Sequence, residues 1–229
     1  MGEVNAVRGR QLIGALSLML LAAGCASSSN HSGSSATPSS PTPTPRAATM
    51  PAACQSWHCQ ARQTRQLGNG DAVTLWVSAG QQNFRSRPVL SLSDGGVAVQ
   101  WWVLPKGDGW NGSLTCLATP QEPNCVVVDS FGMHASVAEM VVLRNGRLVH
   151  AAEAMADAPG MNAVDLDRDG YLDVIGTVND YTPNFAQGHN YWQTRRYASG
   201  RFTVTGCAPQ QQGMPAPTQL LNGECPPAP

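Results

Sequence analysis

The chain has 229 residues, of which 42% are hydrophobic, a length and composition that suit one domain with a hydrophobic core. Its 14 basic and 15 acidic residues give a net charge of −1. This balance argues against a protein that binds nucleic acid, because such proteins carry a basic stripe or patch.

The N-terminus has the pattern of a secretory signal peptide. Basic residues precede an apolar run over residues 12–23, which is shorter than the roughly 20 residues of a membrane-spanning helix. The stretch Leu21-Ala22-Ala23-Gly24-Cys25 resembles the lipobox of bacterial lipoproteins, in which the cysteine receives a diacylglycerol group and becomes the new N-terminus. The resemblance implies a signal peptide over residues 1–24, a lipid on Cys25 and a position at the extracytoplasmic face of the cell membrane. An ordinary signal peptide with an unmodified cysteine is the alternative.

Residues 25–51 are predicted to form a disordered tether between the lipid and a folded domain. Between Ala26 and Met50, 16 of 25 residues are Ser, Thr or Pro, and Arg46 is the charged one. Such a stretch buries too little apolar surface to offset the entropy lost on ordering it. The folded domain is therefore placed from residue 52 onward.

Six further cysteines predict disulfides, because an even number of cysteines outside the cytoplasm favours such bonds. Pairing between near neighbours is the simplest arrangement, with Cys116 joined to Cys125 and Cys207 joined to Cys225. Cys54 and Cys59 either pair with each other or are divided between other partners. The bond from Cys207 would staple residues 207–229, a Pro/Gln-rich C-terminal tail.

Residues 52–206 are predicted to be an all-β domain of about ten mostly antiparallel strands. Apolar and β-branched residues recur with the period of a strand, for example in Val73–Val77 and Val97–Leu104. Asn145-Gly146 between two apolar runs is a strong hairpin signal, and Ser199-Gly200 marks a second hairpin. The 23 glycines and 17 prolines interrupt every helical candidate of useful length.

One acidic loop carries the clearest chemical signal. Its four carboxylates belong to Asp165, Asp167, Asp169 and Asp173. Calcium favours six to eight oxygen ligands, and alternating carboxylates supply them. Gly170 permits the sharp turn that returns later ligands to the ion. An EF-hand does not fit, because position 12 of the loop is Gly176 and not glutamate, and the flanking residues favour strands.

The segment instead resembles the Asp-x-Asp-x-Asp-Gly-x-x-Asp calcium loop of FG-GAP/VCBS-type repeats, known from integrin-like β-propeller blades. The resemblance implies one calcium ion in a loop between two strands, with these ligands: Asp165, Asp167, Asp169, Asp173 and the carbonyl of Tyr171. It covers residues 160–206 only, and the sequence shows no second aspartate loop and no internal repeat. We therefore expect one blade-like unit joined to a further sheet, as a sandwich or an irregular domain. A small degenerate β-propeller is the alternative.

An aromatic, amide-rich segment follows this loop in the sequence. Its candidate ligand-contacting residues are Tyr181, Phe185, Tyr191 and Trp192. Flat aromatic faces beside amides suit a sugar or a protein partner. The alternative is that these rings simply pack on the sheet.

The sequence assigns no catalytic residues. Ser130 and His134 lie close together, but no Gly-x-Ser-x-Gly motif surrounds them. The function expected is therefore a lipid-anchored envelope protein whose calcium-stabilised β domain binds a glycan or another envelope protein. An extracytoplasmic hydrolase and a structural lipoprotein without a small ligand are the alternatives.

Overall fold

The computed structural model describes residues 50–68, 70–78, 87–105, 112–120, 122–130, 135–157 and 160–227. Cys25, His134 and almost all of the proposed tether lie outside these residues, and so does the side chain of Ser130. The described part is all-β, with twelve antiparallel strands in three sheets and one helix of six residues. The predicted fold class is thereby confirmed. Among the described residues, no helix has the length and apolar character to cross a membrane.

Each sheet consists of four strands that follow one another in the chain and pair antiparallel with their neighbours. A short helix, α1 (Ala52–Trp57), precedes the first sheet. That sheet contains β1 (Cys59–Gln66), β2 (Asp71–Ser78), β3 (Val89–Asp94) and β4 (Val97–Val103). The second contains β5 (Ser113–Leu117), β6 (Asn124–Ser130), β7 (Ser136–Arg144) and β8 (Arg147–Ala156). The third contains β9 (Asn162–Val164), β10 (Asp173–Asn179), β11 (Asn190–Ala198) and β12 (Arg201–Pro209).

The central strands of the second sheet, β6 and β7, are buried on both faces. Successive side chains of a strand point to opposite faces of its sheet. Val127 accordingly packs in one hydrophobic cluster with Leu75 of the first sheet, whereas Val126 packs in another cluster with Val174 of the third sheet. The expected blade joined to a further sheet is thus a stack of three blade-like sheets with the same topology, a regularity that the sequence does not display.

Small residues set the spacing between the second and third sheets. Ala152, Ala154 and Ala156 of β8 face the third sheet. A Cβ atom on Gly176 of β10 would lie only 2.8 Å from the Cβ of Ala156, so the two backbones approach closely. The three alanines are therefore buried against the third sheet, whereas Glu153 and Met155, which alternate with them, are exposed.

The segments just before the first strand and just after the last strand cover the two outer faces of the stack. On the first sheet, Cys54 of α1 packs with Trp76 and Val89. On the third sheet, Thr194 is fully buried beneath the C-terminal segment, which we define as residues 210–227. Both coverings are tied to their sheets by disulfides between near neighbours, as predicted, and the open alternative for the first pair is resolved. Cys54–Cys59 holds the first covering and Cys207–Cys225 holds the second, whereas Cys116–Cys125 joins β5 to β6.

The predicted hairpin turns are confirmed, and one strand was missed. Asn145 and Gly146 both adopt positive φ, and so do Ser199 and Gly200. Hydrophobic periodicity did not predict β1, because its residues are mostly exposed and polar. This edge strand is held by its pairing with β2 and by Cys59, which local hydrophobic periodicity does not report.

Candidate metal site

The acidic loop joins β9 to β10, as its resemblance to the calcium loop implied. Arg168 and Gly170 adopt positive φ, which tightens the loop. Carboxylate oxygens of Asp165, Asp167 and Asp173 all lie within 4.8 Å of one another. The structure therefore brings together three of the four predicted carboxylates in a cluster that could hold a metal ion.

One oxygen in this cluster has its hydrogen-bonding capacity unused. Oδ2 of Asp165 accepts a hydrogen bond from the Gly170 N–H at 3.1 Å. Oδ1 of Asp165 is buried and has no hydrogen-bond partner among the described residues. A buried carboxylate oxygen without a partner is costly, and a cation at this point would satisfy it. The residues present therefore fit a bound metal ion.

Asp173 is the structural anchor of the cluster. It is fully buried, and its two oxygens accept hydrogen bonds from the backbone N–H groups of Leu166 and Tyr197, each at 3.0 Å. It therefore links the loop to β11. Burial raises the pKa of Asp173 from 3.8 to about 6; the two backbone hydrogen bonds partly oppose this rise, and the charges of Asp167 and Asp169 add to it.

Asp167 and Asp169 share an arginine of β11. Nε of Arg196 lies 2.6 Å from Oδ2 of Asp167, and its Nη2 lies 3.0 Å from Oδ2 of Asp169. The hydrogen bond that Arg196 donates to Asp169 and the negative charge of Asp167 raise the pKa of Arg196 above its ordinary value. Asp169 lies outside the three-carboxylate cluster, and its Oδ1 accepts the N–H of Tyr171 at 3.0 Å. Neither the presence of Arg196 at the loop nor its contacts with two carboxylates were predicted from the sequence.

Asn124, at the start of β6, ties the loop to the second sheet. Its side chain is fully buried; Nδ2 donates to the carbonyl of Gly170 at 2.9 Å, and Oδ1 accepts the N–H of Leu172 at 3.0 Å. Two backbone groups of the loop thereby gain partners 46 and 48 residues away in the chain. The sequence around Asn124 contains no motif that could have revealed this role.

A shallow pocket of about 220 Å³ lies beside the loop. Tyr171 forms one wall; its ring packs against Tyr197 with centroids 5.3 Å apart, and its hydroxyl donates to Glu122 at 3.4 Å. Burial raises the pKa of Tyr171. Glu122 also forms an ion pair with Arg144 at the rim. Asp169 belongs both to the acidic loop and to the lining of the pocket. A change in the conformation of the loop would therefore alter the pocket wall.

The predicted ligand-contacting aromatics lie elsewhere on the third sheet. The loop after β10 carries Tyr181 and Phe185, whose ring centroids lie 5.5 Å apart. A contact of 3.0 Å between Nδ1 of His189 and Oδ2 of Asp180 closes this loop. The acidic loop precedes β10, whose seven residues extend about 20 Å. The two loops therefore lie at opposite ends of one strand. The remaining predicted contacts, Tyr191 and Trp192, are half-buried on β11.

Comparison of the chain with protein-family profiles, curated proteins and solved structures finds no match. The geometry by itself defines an all-β protein with disulfides and an acidic loop. Three carboxylates of that loop could hold a metal ion.

Proposed function

We propose that the acidic loop binds one calcium ion and that the ion has a structural role. The observation that carries this proposal is the buried, unpartnered Oδ1 of Asp165 beside Asp167 and Asp173. Because Asp173 also holds β11 through the N–H of Tyr197, an ion in the cluster would fix β9, β10 and β11 together.

Calcium suits the donor set better than other common metals. The clustered side chains offer carboxylate oxygens, with neither histidine nor cysteine among them. Such hard oxygen donors select calcium, magnesium or manganese over zinc and copper. Calcium tolerates irregular arrangements of ligands, whereas magnesium demands a near-ideal octahedron, so a loop of alternating aspartates favours calcium.

The protein as a whole is proposed to be a lipid-anchored envelope protein whose calcium-stabilised β domain binds a glycan or another envelope protein. The lipobox ending at Cys25 and the Ser/Thr/Pro-rich tether support the anchor. The three disulfides fit an oxidising compartment.

Calcium is expected to raise the melting temperature of the mature chain, residues 25–229, carrying Cys25→Ser to omit the lipid. Extracellular calcium modules bind at about 0.1–1 mM. With about 1 mM calcium and a dissociation constant near 0.1 mM, mass action adds about 1.4 kcal/mol, or about 3–6 °C for a domain of this size. Differential scanning calorimetry in calcium, in magnesium and in chelator measures the shift. A shift absent with Asp165→Asn and with magnesium supports the site, and no shift in the parent up to about 10 mM calcium contradicts it.

As the pH falls from 7 to 5, the stabilisation by calcium is expected to decrease, whereas the stability in chelator is expected to increase. Calcium needs Asp173 ionised, and a pKa of about 6 leaves roughly nine-tenths of it protonated at pH 5, so the calcium shift should fall to about a third. In chelator the raised pKa means that the folded state binds more protons than the unfolded state. Stability should then rise by about 1 kcal/mol as the pH falls from 7 to 5. Asp173→Asn should remove this rise.

Replacement of Cys25 is expected to release the protein from the membrane. Two acyl chains hold a protein stably on a bilayer, so the parent should remain in the membrane fraction. The Cys25→Ser variant should lose its label from radioactive palmitate and should partition into the aqueous phase of a detergent extraction. Labelling of both variants would place the lipid elsewhere or refute the lipobox.

A further inference from the structure

We propose that Arg196 is a built-in competitor of calcium, which sets the affinity of the acidic loop and keeps the loop ordered when the ion leaves. The inference rests on the calcium site proposed above. The guanidinium of Arg196 bridges Asp167 and Asp169, two of the carboxylates that the calcium-loop pattern assigns to the ion. Calcium and Arg196 therefore use the same anionic groups.

The position of Arg196 in β11 makes this competition local. The adjacent residue, Tyr197, donates its backbone N–H to Asp173, so two consecutive residues of β11 contact three aspartates of the loop. The N–H of Tyr197 is fixed by the strand, whereas the side chain of Arg196 is 44% exposed and is free to turn toward solvent. The strand can thus keep its hydrogen bond to Asp173 while the side chain of Arg196 moves away from Asp167 and Asp169.

The charges explain why such a cation is present. Four carboxylates within nine residues repel one another, and Arg168 is the basic residue between them in the sequence. Arg168 makes no ion pair among the described residues, and the cation that contacts Asp167 and Asp169 comes instead from β11. A guanidinium offers directed N–H donors to both carboxylates at once. A calcium ion that takes Asp169 as a ligand would meet the positive charge of Arg196 at Oδ2, because Oδ1 of that residue accepts the N–H of Tyr171.

Arg196→Gln is expected to tighten calcium binding about tenfold and to lower the melting temperature in chelator. The factor follows from the modest worth of two partly exposed ion pairs that calcium no longer has to break. Arg196→Lys keeps the positive charge but loses the two-pronged contact, so its calcium affinity should fall between those of the parent and Arg196→Gln. Arg65→Gln is the matched control, because Arg65 is exposed on the first sheet and its side chain donates a hydrogen bond to the neighbouring carbonyl of Thr64, without an ion pair among the described residues.

Isothermal titration of calcium into the mature chain carrying Cys25→Ser, with melting curves in chelator, tests the proposal. Tighter binding by Arg196→Gln together with lower stability in chelator, neither seen with Arg65→Gln, supports it. Binding by Arg196→Gln with none by the parent would support competition by Arg196 and would refute calcium binding by the native loop. Equal or weaker binding by Arg196→Gln than by a parent that binds calcium overturns the role of Arg196 and leaves the calcium site standing. If neither protein binds calcium, the calcium site itself is refuted.

Discussion

Replacement of Asn124 by alanine is expected to lower the free energy of unfolding by about 3 kcal/mol. The substitution removes the side chain that forms hydrogen bonds with the carbonyl of Gly170 and the N–H of Leu172. Each buried polar group left without a partner costs about 1–3 kcal/mol, and two are left here. Because Asn124 is fully buried, water does not replace these contacts without opening the structure. Denaturant unfolding monitored by circular dichroism measures the loss.

The same substitution should also weaken calcium binding, because it frees the loop from the second sheet. Asn162→Ala is the matched control, since Asn162 is exposed on β9 next to the loop. Loss of stability in Asn124→Ala with unchanged unfolding of Asn162→Ala would establish the cross-sheet contact. Equal behaviour of the two variants would show that the second sheet does not hold the loop.

Release of the C-terminal segment from the third sheet is expected to lower the free energy of unfolding by about as much as Asn124→Ala does. The N–H of Cys207 donates to the carbonyl of Gly223 at 2.9 Å, and the N–H of Leu221 donates to the hydroxyl of Thr194 at 2.9 Å. The segment passes so close to β12 that a Cβ atom on Gly206 would lie 2.6 Å from the backbone nitrogen of Asn222. Breaking the disulfide with Cys207→Ser and Cys225→Ser should cost about 3 kcal/mol in the chain-entropy model. Gly206→Ala should cost about 1–3 kcal/mol through this clash.

A double-mutant cycle tests whether the C-terminal segment packs on the third sheet. Both changes act by lifting the same segment from the third sheet, so their combined cost should be smaller than the sum of the separate costs. Equilibrium unfolding of the parent, of the disulfide variant, of Gly206→Ala and of their combination provides the four free energies. Costs that add to within about 0.5 kcal/mol would mean that the segment does not cover β12.

Local features of this molecule were predictable because their causes are local. The turn at Asn145-Gly146 follows from residues that adopt positive φ, and a bond such as Cys116–Cys125 follows from two cysteines that flank one hairpin. The spacing of Asp165, Asp167 and Asp173 along one loop was sufficient to predict that their carboxylates converge. In each case the interacting residues are near neighbours in the chain.

The calcium-loop pattern did not predict how the loop is held. Asn124 reaches it from another sheet, and Arg196 reaches Asp169 from 27 residues away. A pattern of alternating aspartates specifies neither contact, because each depends on how separate strands are placed in space. The pattern therefore predicted the carboxylates of the site and missed the groups that balance and position them.

The sequence by itself determined the fold class, the hairpins and the acidic loop, because alternation of side chains and turn conformations are properties of short segments. It made near-neighbour disulfides the simplest pairing, and the structure decided the partner of Cys54. The tertiary structure decided that three similar sheets stack, and that the central strands of the middle sheet are buried on both faces. Their spacing depends on pairs such as Ala156 and Gly176, whose small volumes matter only once the two backbones meet. Packing between sheets is a long-range property, so it placed Asn124 and Arg196 at the loop without leaving a local signature in the chain.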